Sequence, residues 1–164
     1  MEEPLPAGGS CLLGALNLSA YVTNEQFDME SFVNDIRTAV IALNNVLDEG
    51  LPLHPLAIQR ETVRDYRQIG LGVMGIADML IKLGLKYDSE EAIEFCDKLA
   101  FTMANSSLKA SALLAKEKGV YPKYNQEAVL KSEFIRMNTD SYTLGLINDY
   151  GLHNSQVLTI APFN

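Results

Sequence analysis

The chain has 164 residues, 48% of them hydrophobic and 21% charged, which is the length and balance of one globular body with a core of its own rather than a disordered or bilayer-spanning chain. Acidic residues outnumber basic ones by 21 to 13, giving a net charge of -8 and no Lys/Arg cluster with which to hold nucleic acid, although helix N-termini and loop amides can still hold the phosphates of a single nucleotide. Met1 is followed by Glu2 and Glu3 instead of the basic start of a signal peptide, no apolar run is long enough for a membrane span, and Cys11 and Cys96 form neither a disulfide framework nor a metal-ligand spacing, so a cytoplasmic chain with reduced thiols is expected.

Residues 2–10, with Pro4, Pro6, Gly8 and Gly9, read as an extended loop. The apolar run 11–18 is short enough for a buried strand. From Asp28 the period becomes helical: Met29, Phe32, Val33, Ile36, Val40, Leu43 and Leu47 make one stripe, with Asp28 as N-cap and Gly50 as stop. Residues 51–56 carry two prolines and must connect. Residues 60–68 are strongly charged, whereas 71–83 are apolar almost all round and end at Gly84, which predicts a second, buried helix. Asp88 and Glu91 form a capping-box-like pair opening the longest helix, 89–118, closed by Gly119; its small residues between 104 and 115 let neighbours approach closely. Shorter helices are predicted over 126–137 and 141–149, and 156–161 reads as a strand leading into a loop at Pro162.

The fold class is therefore α/β, helix-rich, with one strand near each terminus. Two strands make no complete sheet, so the chain is expected to belong to something larger, and the strand at 11–18 is expected to lie beside 156–161 or beside a strand of another copy.

Gly70-Leu71-Gly72-Val73-Met74-Gly75 matches G-x-G-x-x-G literally. A dinucleotide site needs a buried strand before the glycines, and the preceding residues 62–68 are charged. The reading preferred here is packing: the glycines open a buried helix that presses against another backbone and runs to about Leu83, with no dinucleotide bound.

Three segments, in order, resemble the large subunit of ribonucleotide reductases. Glu2-Glu3-Pro4-Leu5 and Ser10-Cys11-Leu12-Leu13-Gly14-Ala15-Leu16-Asn17-Leu18-Ser19 are similar to the family's N-P-C-x-E-x-P-L segment and its C-N-L-G-x-x-N-L-S strand. Residues 67–75 look like its R-x-x-G-L-G-V-M-G stretch, and residues 154–162 resemble the segment entering its phosphate loop. The resemblance spans nearly the whole chain, and residues 2–11 look closest to the adenosylcobalamin-dependent class.

The resemblance implies a fragment, 1–164, of a ten-stranded α/β barrel, truncated at both ends, whose partners are the ribonucleotide substrate and the remainder of the barrel, with no nucleic acid or membrane. In the family a cysteine thiyl removes the 3′ hydrogen of the ribose, a glutamate exchanges a proton with the 3′ hydroxyl, and a cysteine pair becomes a disulfide as the 2′ hydroxyl leaves as water. Glu2 falls on that glutamate and Cys11 on the downstream member of the pair; the radical cysteine would precede Met1. Ala161 and Pro162 fall at the entry to the phosphate loop. Two positions depart from the pattern: His153 stands where arginine is common, and Phe163-Asn164 replaces Thr-Gly. The implied cofactor is adenosylcobalamin in the parent enzyme, none being held by the fragment, and the isolated chain is expected to be inactive. Cys96 matches no motif and reads as a helix residue. A non-catalytic helical interaction module and an NAD-dependent oxidoreductase are the alternatives; N-P-C before Glu2 and T-G-T after Pro162 in an extended reading frame would separate them from the reductase.

Overall fold

A computed structural model describes residues 4–10 and 12–161. Its long helices follow the apolar periodicity. Helix α1 (Met29–Gly50) starts where the Asp28 carboxylate accepts the Ser31 N–H at 3.0 Å, and it buries Phe32, Ile36, Val40, Leu43 and Leu47; Val33, at the edge of the stripe, is 36% exposed. Gly50 does not act as the expected stop. Its φ of -76° keeps it helical, and the chain turns over Pro52, which cannot continue an α-helical hydrogen-bond ladder, in a short 3-10 turn over Leu51–Leu53. Helix α2 (Ala57–Tyr66) takes the charged stretch and ends on Arg67 in the left-handed region, φ 47°.

The apolar run after it is not one helix. Gly70–Met74 is a strand, here β4, which pairs in parallel with β1 (Leu13–Asn17) from Leu13↔Gly70 to Asn17↔Met74. The chain turns at Gly75, φ 75°, into helix α3 (Ile76–Lys82); the four residues of β2 (Val22–Thr23) and β3 (Gln26–Phe27) pair aside as a small hairpin. Residues 156–161 do not form the expected full strand beside β1. They run along the far edge of β4, joined by a single parallel bridge, Leu71↔Leu158, with Leu71 N–H donating to Val157 O at 2.9 Å and Thr159 N–H to Leu71 O at 3.2 Å. The spatial order is β1, β4, then the C-terminal segment.

Helix α4 (Glu90–Lys118) is capped by Ser89, whose hydroxyl accepts the Ala92 N–H, while Asp88, at φ 70°, makes the turn before it; the cap therefore lies one residue later than the charge pattern suggested. Gly119 closes it at φ 88°. The small buried residues Ala104, Ser107, Ala110, Ser111 and Ala112 let α1 and α7 (Ser141–Tyr150) pack close on either side. The stretch 126–137 is two helices, α5 (Gln126–Lys131) and α6 (Glu133–Met137), broken at Ser132 with ψ 124°. Helices back the strip: Gly14 of β1 faces Leu43 of α1, and Leu71 of β4 is 1% exposed. Among the described residues no helix is long and apolar enough to cross a membrane.

Candidate functional site at the parallel strip

Parallel pairing fixes which ends of the strip meet. Leu13 and Gly70 stand at the entry end, Asn17 and Met74 at the exit end, and the Leu71↔Leu158 register carries residue 161 toward the exit. Ala161 is buried there at 8% exposure. The described part of the N-terminal loop lies at the other end: Gln68 Nε2 donates to Pro4 O at 3.3 Å and to the Gln156 side-chain oxygen, and Thr62 Oγ1 donates to Ala7 O at 3.1 Å. Glu2, Cys11 and Pro162 lie outside the described residues, so of the four expected site residues the structure places Ala161. The other cysteine, Cys96, sits partly buried in α4 with a free thiol whose pKa burial pushes up, an inert setting for a thiol.

The glycine motif has the strand–turn–helix context that its charged flank argued against, because the charges belong to α2 and the strand begins at Gly70 itself. The glycines nonetheless serve packing, as expected, though in a strand. A Cβ on Gly72 would stand 2.7 Å from Thr159 O, and one on Gly70 would stand 2.8 Å from both Leu13 Cδ2 and Thr159 Cγ2. At Gly75 the space a Cβ would take is filled by Asn17 Oδ1, which accepts the Ser19 N–H at 3.2 Å. The backbone approach that a pyrophosphate would need is taken by the C-terminal segment and by Asn17.

Sequence reasoning missed a buried polar cluster that ties four parts of the chain together. Asn44 of α1 and Asn154 exchange carboxamide hydrogen bonds, Asn44 Nδ2 to Asn154 Oδ1 at 3.2 Å and Asn154 Nδ2 to Asn44 Oδ1 at 2.9 Å. Asn154 Nδ2 also donates to Arg67 O at 2.8 Å, and Asn44 Nδ2 to Val40 O at 2.9 Å; carbonyls only accept, so both amide orientations follow. Ser111 of α4 donates to Asn154 Oδ1 at 3.0 Å and accepts the N–H groups of His153 and Asn154, both at 3.1 Å. The Arg67 guanidinium reaches Asn44 Oδ1 at 3.2 Å and Asp48 at 2.7 Å. Asn44 and Ser111 are wholly buried and Asn154 is 1% exposed. The available signal was Asn44 itself, a polar residue four positions after Val40 on an apolar helix face.

His153, beside Asn154, is buried and its Nδ1 lies 2.6 Å from Gly119 O at the end of α4. Burial pushes its pKa below the ordinary histidine value, helped by Arg67 and Lys118 and opposed by the Gly119 carbonyl and Asp48. It is held as a neutral imidazole donating to that carbonyl.

These features define a class first: a helix-backed, parallel α/β unit whose strands are keyed to one another by glycines and by a buried polar cluster. The family model described as "Ribonucleotide reductase, barrel domain" matches residues 1–164. The chain is 34% identical to the ribonucleoside-diphosphate reductase subunit alpha of Chlamydia pneumoniae, over 93% of this chain and 16% of that protein. It is 40% identical to the vitamin B12-dependent ribonucleoside-diphosphate reductase of Thermoplasma acidophilum, over 87% of this chain and 18% of that protein. The vitamin B12-dependent ribonucleoside-diphosphate reductase of Mycobacterium tuberculosis is 34% identical over 80% of this chain and 19% of its own length. The chain belongs to the ribonucleotide reductase barrel-domain family, and it spans less than a fifth of the length of these relatives.

Proposed function

We propose that this chain is the part of a ribonucleotide reductase catalytic subunit that carries the active-site glutamate, one cysteine of the reducing pair and the approach to the substrate phosphates. The observation that carries the reading is the family match over residues 1–164, joined by relatives whose names specify ribonucleoside-diphosphate reduction. The two other readings, a helical interaction module and a nicotinamide enzyme, lack such support.

In this reading Glu2 exchanges a proton with the substrate 3′ hydroxyl. Cys11 and a partner cysteine elsewhere in the subunit lose two electrons and two protons to form a disulfide as the 2′ hydroxyl departs as water. Ala161 and Pro162 lead the backbone to the phosphates of a ribonucleoside diphosphate. The strip β1, β4 and 156–161 is then three neighbouring positions of the ten-stranded barrel, and its outer edges meet the remainder of that barrel, or a second copy when the chain stands alone. The compartment is cytoplasmic.

The names of two relatives support adenosylcobalamin as the parent's radical source. The cavities beside α4 among the described residues are grooves lined by side chains such as Leu108, Val129 and Ile135 on one side and Val33, Phe101 and Lys109 on the other, and no residue of this chain is assigned to holding that group.

The test is ribonucleotide reduction by the full-length subunit, by its Cys11→Ser and Glu2→Gln variants, and by the 164-residue chain. The full-length subunit is expected to turn over, Cys11→Ser to form no deoxynucleotide because one thiol cannot close the disulfide that supplies two electrons, Glu2→Gln to lose on the order of a hundredfold or more, as removal of a general acid–base group does, and the isolated chain to be inactive. Wild-type rates in Cys11→Ser would remove Cys11 from the reducing pair, and turnover by the isolated chain would refute the division of the active site between this segment and the rest of the subunit.

A further inference from the structure

The C-terminal segment poses a register problem that its own backbone does not solve. It lies against β4, whose Gly70 and Gly72 have no side chains to interlock with a neighbour, and glycine-rich pairings tolerate slippage. The ladder is short: Ile69 N–H to Gln156 O at 3.1 Å, Leu71 N–H to Val157 O at 2.9 Å and Thr159 N–H to Leu71 O at 3.2 Å. A slip by one residue would move the segment about 3.3 Å and turn every side chain to the opposite face.

Immediately upstream the chain is gripped. Asn154 meets Asn44 on α1, the Arg67 carbonyl at the approach to β4 and Ser111 on α4, and next to it Ser155 N–H donates to Tyr66 O at 3.0 Å. Each partner comes from a different element, so a shifted chain would leave several buried polar groups unpaired at once. Such a penalty is steep in the interior.

We infer that Asn154 is a positioning residue, whose buried clasp with Asn44, Arg67 and Ser111 sets the register of residues 155–161 against β4 and thereby places the phosphate-binding approach. The inference rests on the proposed reading of Ala161 and Pro162 as that approach. Asn154 acts through the backbone of the segment and touches no substrate. Its carboxamide nitrogen is required as a donor twice, to Asn44 Oδ1 and to Arg67 O, whereas the Asn44 oxygen acts as an acceptor from both Asn154 and Arg67. Asn44 donates twice as well, to Asn154 Oδ1 and to Val40 O, so the clasp is reciprocal, and Asn154→Asp loses both of its donors and sets a carboxylate oxygen against two acceptors.

The experiment uses the full-length subunit that carries this sequence. Asn154→Ala and Asn154→Asp are expected to lower kcat/KM per folded molecule on the order of a hundredfold, with KM for the ribonucleoside diphosphate raised, since small misplacements at a reacting centre have that effect. Amide exchange should quicken in peptides covering 69–72 and 155–161 and stay at wild-type rates elsewhere. If the Asn154 variants do not fold, Ser111→Ala, which removes one arm of the clasp, should show the same localised exchange and a smaller loss. Unchanged kcat/KM per folded molecule in an active subunit, or exchange quickened evenly along the chain, would overturn the inference and leave the function standing. An unsubstituted subunit without ribonucleotide reduction would overturn the function and the inference together.

Discussion

The same substitution, glycine to alanine, should have opposite effects at two positions, and the difference can be worked from the contacts. At Gly72 the added Cβ would sit 2.7 Å from Thr159 O, where ordinary contact begins at 3.4 Å, so the C-terminal backbone must retreat by about 0.7 Å. The retreat stretches the Thr159 N–H to Leu71 O bond, already 3.2 Å, beyond useful length. Overpacking of this kind costs about 1–3 kcal/mol and a lost hydrogen bond about 0.5–1.5, against a gain of about 0.4–1 from the stiffer unfolded chain. The net is a destabilisation of about 2 kcal/mol, or roughly 4–8 °C in Tm for a chain of this size. At Gly50 nothing lies within 4 Å of the new Cβ and φ is -76°, so Gly50→Ala should stabilise by about 0.4–1 kcal/mol. Urea unfolding at 25 °C followed by far-UV circular dichroism reads both, with the slope against urea unchanged if neither alters the surface exposed. Gly72→Ala within about 0.5 kcal/mol of wild type would refute the claim that this glycine exists for the approach of residues 156–160.

Two further outcomes follow from the caps and from His153. Ser89→Ala should destabilise by about 1 kcal/mol through loss of the α4 N-cap, measured in the same urea experiment, while Asp88→Gly, which suits the positive φ at that position, should not reproduce the loss. His153 has a folded pKa below its unfolded value, so the unfolded chain takes up a proton first as pH falls; stability is full above about pH 6.5 and declines as pH drops toward the lower folded pKa. His153→Gln should flatten that decline below about pH 6.5, and an identical pH slope in the variant would assign it to other groups.

How much of this was legible beforehand differs by element. Helices α1, α4 and α7 could be read directly because their side chains repeat at the helical period and their ends carry Asp, Ser or Gly, local signals that need no partner. The two departures at their ends have equally local causes: Gly50 stays helical because Pro52 supplies the stop, and Ser89 caps α4 because Asp88 is taken up in the preceding turn. Strand β4 could not be read in the same way. A five-residue apolar run containing two glycines has no period of its own, and what makes it a strand is β1 on one side and the C-terminal segment on the other, 57 residues earlier at Leu13↔Gly70 and 87 later at Leu71↔Leu158. The motif's order along the chain pointed to the family, since such motifs are carried by residue identity, and the match over residues 1–164 agrees. The clasp was invisible for the reason β4 was: Asn44 and Asn154 are 110 residues apart, and an asparagine on an apolar face acquires its meaning only when folding brings a second carboxamide against it. Local chemistry along the chain determined the helices, their caps and the family; pairings between distant residues decided the strand order, the use of the glycines and the register of the segment that ends at Ala161, because hydrogen bonds and close contacts of that kind exist only after the chain has closed on itself.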